Sequence, residues 1–150
     1  MNTDELFPLD TDLSFLRELW ALNHALERTS KRMETLLGMT ARQRIIIRIL
    51  GKFPGIAAGQ LAALLRVDPG TLSAAVARLE ARGWVERRRD TRDHRRITLI
   101  LTAKGRMLDI PSASTIESAV HAALSETSQQ ERRSVSRFLA RLIDVLETEA

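Results

Sequence analysis

The chain has 150 residues, 44% of them hydrophobic, which by the length prior makes one domain with enough bulk to bury a core. Only 4% of residues are aromatic and none is tyrosine, which favours packed helices of Leu, Ile, Val and Ala over a large sandwich; the lack of cysteine excludes a disulfide framework, a thiolate metal site and a thiol redox switch. The net charge of +4 is uneven: residues 66–106 hold eleven Lys/Arg against five Asp/Glu, while the rest of the chain is net acidic.

Residues 1–10 lack periodicity and contain Pro8, so an irregular lead-in is expected. This stretch has neither a basic nor an apolar leader region, and no apolar run approaches the ~18 residues that cross a bilayer, so a cytoplasmic protein without a membrane partner is expected. From Asp12 to Leu37, the residues Leu13, Leu16, Leu19, Trp20, Leu26, Met33 and Leu37 keep near-helical spacing and predict a long first helix that Gly38 stops. Thr40 and Gln43 form a capping box that opens a second helix through Ile45, Ile46, Ile49 and Leu50, ending near Gly51. The run Ile45-Ile46-Ile47 is too apolar for an exposed face, which makes this helix the expected central support for the segments after it.

Between Gly59 and Leu65, Leu61, Leu64 and Leu65 predict a short helix. Asp68 then caps another, with Pro69 at its first position and Leu72, Val76 and Leu79 on its buried face. The opposite face, with Thr71, Ser73, Ala74 and Arg78, is small and polar, as suits a helix that enters a major groove. Gly83 ends it. Two strand patterns come next, at residues 84–88 and 96–101, joined by a charged tip over residues 89–95. Six arginines lie between Arg87 and Arg96, more than Glu86, Asp90 and Asp93 can neutralise within a hairpin. A polyanion is the natural partner of the surplus. Beyond the hairpin, Thr102 caps a helix from Ala103, Pro111 predicts a break over residues 109–112, and helical patterns resume at Ile116 and, behind the capping box of Ser128 and Glu131, through Val135, Phe138, Leu142 and Leu146.

Two short helices, the turn Arg82-Gly83-Trp84-Val85-Glu86-Arg87, a wing with Asp90, Asp93 and Arg95 in D-x-x-D-x-R spacing, and the closing Leu101-Thr102-x-x-Gly105 together resemble the MarR family of bacterial regulators. The resemblance covers the whole chain and departs from the family pattern at Thr91, where proline is common, and at His94, where a basic or small residue is common. It implies a mainly α fold with a small β wing: a winged helix-turn-helix lobe over residues 40–105, with dimerisation helices over residues 12–37 and 112–148. It also implies a dimeric, sequence-specific transcriptional regulator, most simply a ligand-responsive repressor. An independent argument for a homodimer is that the terminal helices are amphipathic, and a lone pair would leave much apolar surface in water.

The expected partner is double-stranded DNA carrying a pseudo-palindromic operator. Pro69 and Gly70 let the helix backbone approach it, Thr71 and Ser73 hydrogen-bond to bases or phosphates, Ala74 keeps the face small, and Arg78 reaches a phosphate in preference to a base. Arg88, Arg89, Arg92 and Arg96 supply wing charge. The family pattern implies insertion of Arg95 into the minor groove, with Asp93 orienting an arginine. In the family, effectors such as aromatic acids bind between the dimer helices and the DNA-binding lobe. Trp20, Asn23, His24 and Arg28 on the first helix are therefore the candidate lining for a small anionic or aromatic effector; the competing reading is a dimer contact or solvated helix surface. The scattered His24, His94 and His121, with no nucleophile turn, phosphate loop or metal-spaced carboxylates, predict no catalytic residues, metal or cofactor. The alternative function is a constitutive or architectural winged helix, for DNA or protein contact, with no effector.

Overall fold

The computed structural model describes residues 3–149, in two compact units, one through Ser112 and the other from Ala113 on. In the first unit, the lead-in contains a single helical turn, α1 (Thr3–Leu6), where no periodicity predicted one. The long helix α2 (Thr11–Leu37) starts at Asp10, whose side chain accepts the Leu13 N–H, and ends at Gly38 in the left-handed conformation. The helix α3 (Ala41–Lys52) opens with the expected capping box between Thr40 and Gln43.

The core is built on α3. Ile46, Ile47 and Leu50 pack with Leu61 and Ala62 of α4 (Ala58–Leu65) and with Leu72, Val76 and Leu79 of α5 (Pro69–Ala81). Trp84, Val85, Leu99 and Leu101 close the cluster from the sheet side. Each such side chain, fully buried, contributes roughly 1.5–3 kcal/mol, which is why two helices of 8 and 13 residues hold their places. Two details differ from the sequence reading. Ile45 and Leu64 are about half exposed, because a helix has one inward stripe and their neighbours Ile46, Ile47, Leu61 and Ala62 already fill it. Conversely Arg44 is 3% exposed: it lies three residues before Ile47 on the inward side and donates to the carbonyls of Leu108 and Ile110.

The sheet has three antiparallel strands in the order β1-β3-β2. β2 (Val85–Arg89) and β3 (Ile97–Leu101) are the expected hairpin, each starting one residue later than the pattern suggested. Their register pairs Val85 with Leu101 and Arg89 with Ile97. The two-residue β1 (Ile56–Ala57), which the sequence reading missed, pairs with Leu99 and Thr98 in the middle of β3 and leads into α4. Gly83, at φ +72°, turns the chain from α5 into β2. The closing motif locks this turn: the Thr102 hydroxyl donates to the Gly83 carbonyl and accepts the Gly105 N–H, in α6 (Ala103–Arg106). A Cβ at Gly105 would lie 2.0 Å from the Trp84 carbonyl oxygen, so glycine is required there for close backbone approach. Helix α6 ends at Arg106, earlier than the break expected over residues 109–112, and the chain stays non-helical until α7.

The second unit holds α7 (Ile116–Ser125), capped by Thr115, and α8 (Gln129–Thr148), capped by the predicted box of Ser128 and Glu131. Neither helix has a buried residue. Among the described residues, no helix is long and apolar enough to cross a membrane.

Candidate nucleic-acid interface

The first wall of the site is the start of α5. Asp68 caps the helix: one carboxylate oxygen accepts the Thr71 N–H at 2.8 Å and the other accepts the Thr71 hydroxyl. These two bonds, the hydroxyl first, hold the Asp68 carboxyl below its usual range. Pro69 occupies the first turn, where its missing N–H costs nothing. With Leu72, Val76 and Leu79 turned inward, Pro69, Gly70, Thr71, Ser73, Ala74 and Arg78 all stand exposed, as the sequence reading expected. Thr71 differs in one respect. Its hydroxyl proton is already given to Asp68, so toward an outside group it offers lone pairs and not a donor.

The second wall is the wing. Across the hairpin, Val85, Arg87 and Arg89 share one face of β2, opposite Leu101, Leu99 and Ile97. Arg87 therefore points toward α5, where its Nε lies 2.9 Å from Glu80 and its guanidinium donates to the Ser73 carbonyl at 3.0 Å. Sequence reasoning missed this tie because it counted only the acids inside the hairpin. The period-two alternation from Val85 was the available signal. Arg88 is also paired, with its Nε 3.0 Å from Glu86. Arg89, Arg92, Arg95 and Arg96, like Arg78, are exposed and make no ion pair among the described residues.

The wing tip is folded by its acids. Asp90 N–H donates to the Arg96 carbonyl at 3.0 Å and Arg96 N–H donates to the Asp93 carbonyl at 2.9 Å. The Asp90 side chain accepts the Arg92 N–H at 2.8 Å, and the Asp93 side chain accepts the Arg95 N–H at 3.0 Å. This corrects the role expected for Asp93: it holds the backbone of Arg95, two residues on, and no arginine side chain, because a short side chain reaches its own turn more readily. The Arg92 amide, with smaller contributions from the charges of Arg96 and His94, keeps the Asp90 carboxyl below its usual range. The D-x-x-D-x-R pattern is thus two side-chain-closed turns that leave the arginine side chains free.

Arg82, the first residue of the turn noted in the sequence, joins these walls to the rest of the unit. Just past α5, it stacks its guanidinium 3.8 Å from the Trp84 ring centre and donates to the Gly38 carbonyl at the end of α2.

The four residues of the candidate effector face share one side of α2. Trp20 is 63% exposed. Asn23 donates to Glu27 at 3.2 Å, and His24 lies 3.8 Å from the same carboxylate, which the sequence reading had not placed among them. A hollow lined by Pro69, Ser73 and Arg87 and another lined by Pro54, Arg106 and Asp109 do not include Trp20, Asn23, His24 or Arg28.

The MarR family model matches residues 37–96, which run from the end of α2 through the wing tip. The chain is 33% identical over 105 residues to the HTH-type transcriptional regulator TtmR of Methylorubrum extorquens (strain PA1). Both matches make this part of the chain similar to the MarR family. The TtmR match covers 70% of this chain and 53% of TtmR, so the chain spans about half the length of that relative. The HTH-type transcriptional repressor Mb2911 of Mycobacterium bovis is 27% identical over 106 residues, covering 71% of this chain and 76% of its own. The structure of FabT from Streptococcus pneumoniae in complex with DNA superimposes with a TM-score of 0.66 at 23% identity, over 94% of this chain and 100% of FabT, and shares its fold. The relatives matched are transcriptional regulators.

Proposed function

We propose that this protein is a MarR-type regulator, a homodimer that binds a pseudo-palindromic operator in duplex DNA and acts as a repressor released by a small ligand. The observation that carries the DNA reading is the pairing of an exposed, small-residue face on α5 with four exposed arginines in the adjoining wing that have no ion-pair partner among the described residues. Such a surface neutralises phosphates and brings side chains to base edges. FabT is seen bound to DNA and Mb2911 is a repressor, which supports extending both properties here. Pro69, Gly70, Thr71, Ser73, Ala74 and Arg78 meet the major groove, Arg95 enters the minor groove, and Arg89, Arg92 and Arg96 meet phosphates. Arg88, held by Glu86, contributes charge at the rim, and Asp93 fixes the Arg95 backbone.

The dimer reading rests on apolar surface. Leu13, Leu16 and Leu26 of α2 are between 38% and 49% exposed, and Val135, Phe138 and Leu146 of α8 between 44% and 60%. A second copy is the simplest cover, so residues 12–37 and 112–148 are the proposed dimerisation segments around the lobe of residues 40–105. Trp20, Asn23, His24 and Arg28 are the proposed effector contacts. Glu27 between them tempers the attraction of Arg28 for an anion, so the indole is the stronger determinant and an aromatic acid the first class to test.

The test is footprinting on the DNA upstream of the protein's own gene, with and without aromatic carboxylates. Two protected half-sites about 10 base pairs apart, centre to centre, are expected of a two-fold dimer. Uniform protection without half-sites would favour architectural binding. If no carboxylate changes the footprint, or if one acts equally on wild type, Trp20→Ala and Arg28→Ala, the proposed effector face is wrong.

A further inference from the structure

We propose that His94 is a DNA-phosphate contact whose strength is set by its protonation, so that the wing binds DNA more tightly in mild acid. This rests on the DNA-binding reading above and goes beyond it by naming a residue and a condition. The bond from Arg96 N–H to the Asp93 carbonyl closes a four-residue turn, with His94 and Arg95 at its two corners. This turn lies within the seven-residue loop between β2 and β3. His94 and Arg95 are both exposed, and neither side chain has a hydrogen bond or ion pair among the described residues. Whatever brings Arg95 to a groove therefore brings the imidazole beside it to the flanking phosphates.

The charged groups around His94 belong to the tip and the strand ends: Asp90 and Asp93 as acids, Arg89, Arg92, Arg95 and Arg96 as bases. No other element contributes a hydrogen bond or ion pair to residues 91–95 among the described residues. Both acids accept backbone N–H groups, and Asp90, which feels the charge of His94, is not hydrogen-bonded to the imidazole. A neutral imidazole offers one N–H, whereas the imidazolium offers two and a full charge. Beside a phosphate the charged form is favoured, so binding draws in a proton and affinity is higher in mild acid than in mild base. Each protonated His94 adds one counterion-releasing contact. The slope of log affinity against log salt then steepens by about 0.9 per wing, or about 1.8 for a dimer with two wings engaged. Between 50 and 200 mM salt that is an additional loss of about twelve-fold at low pH.

The experiment measures this slope at pH 5.5 and pH 8.5 on one duplex for the wild type, His94→Gln and His94→Lys. The wild type should be steeper at pH 5.5 by between one and two units, His94→Gln should show the shallow slope at both pH values, and His94→Lys the steep slope at both. His24 and His121 remain in every variant, so a pH dependence that survives His94→Gln intact would overturn the proposal, as would a wild-type slope that is the same at both pH values while DNA is still bound. A wild type with no salt-sensitive complex at either pH would instead overturn the DNA-binding reading, and this proposal with it.

Discussion

Replacing Arg44 by methionine probes the least expected part of the core. Methionine keeps most of the apolar stem but removes the guanidinium, which donates to the Leu108 carbonyl at 3.0 Å and to the Ile110 carbonyl. Arginine does not deprotonate in proteins, so at 3% exposure it is a buried charge held by carbonyls of a non-helical segment. Hydrogen bonds to charged groups contribute about 1.5–3 kcal/mol each, and two carbonyls lose their donor. Part of this returns when the segment moves and rehydrates, because Ile110 itself is exposed. A net loss of about 3 kcal/mol is expected, which for a chain of this size lowers the melting midpoint by about 6–12 °C. Urea unfolding followed by helical circular dichroism measures the free energy, and a thermal scan the midpoint. A loss below about 1 kcal/mol, with the urea slope unchanged, would refute the assignment of Arg44 as a structural anchor.

Asp68→Asn should keep the start of α5, since asparagine also caps, but remove its acid sensitivity. The folded carboxyl of Asp68 is lowered, so its contribution is fully present above the ordinary carboxylate value of 3.8 and fades as pH falls through the lowered folded value; equal acid-unfolding profiles for both proteins would contradict this. Asp90→Ala with Asp93→Ala should unlock the wing tip, seen as faster hydrogen exchange at the Arg92 and Arg95 amides while the β2–β3 ladder stays protected; unchanged exchange would mean the acids do not hold the turns. Removing residues 128–150 should leave apolar surface uncovered and give aggregates or an unfolded monomer in analytical ultracentrifugation, whereas a folded, DNA-binding monomer would show that the terminal helices are dispensable for the lobe.

What the sequence made legible was what local chemistry decides. Thr40 with Gln43, Asp68 with Pro69, and Ser128 with Glu131 are side chains that bond their own helix starts, so three boundaries can be read from four-residue windows. The hairpin followed from alternation and from Gly83. What stayed hidden depends on partners far along the chain. Two residues of β1 carry no periodic signal and become a strand only because β3 lies beside them. Arg44 reads as a solvated cation until Leu108 and Ile110 supply carbonyls more than sixty residues away. The arginines of the site divide in the same way: free side chains at Arg89, Arg92, Arg95 and Arg96 were legible as a surplus of charge, but the engagement of Arg87 required knowing that Glu80 faces β2. Asp93 was read as orienting an arginine because spacing places it near several, and only the turn geometry shows that it takes the Arg95 amide.

The central claim, that the wing tip and the face of α5 form the DNA contact, is tested most directly by a charge-matched pair of variants. Arg95→Ala and Arg133→Ala each remove one exposed cation, the first from the wing tip and the second from α8. Affinity for a duplex identified by footprinting is measured for both by fluorescence anisotropy at fixed salt. Arg95→Ala should weaken binding at least ten-fold, roughly 1.4 kcal/mol or more, while Arg133→Ala stays within about two-fold of wild type. Equal losses in the two variants would mean that net charge alone drives binding, and an unchanged Arg95→Ala would contradict the placement of the wing on DNA.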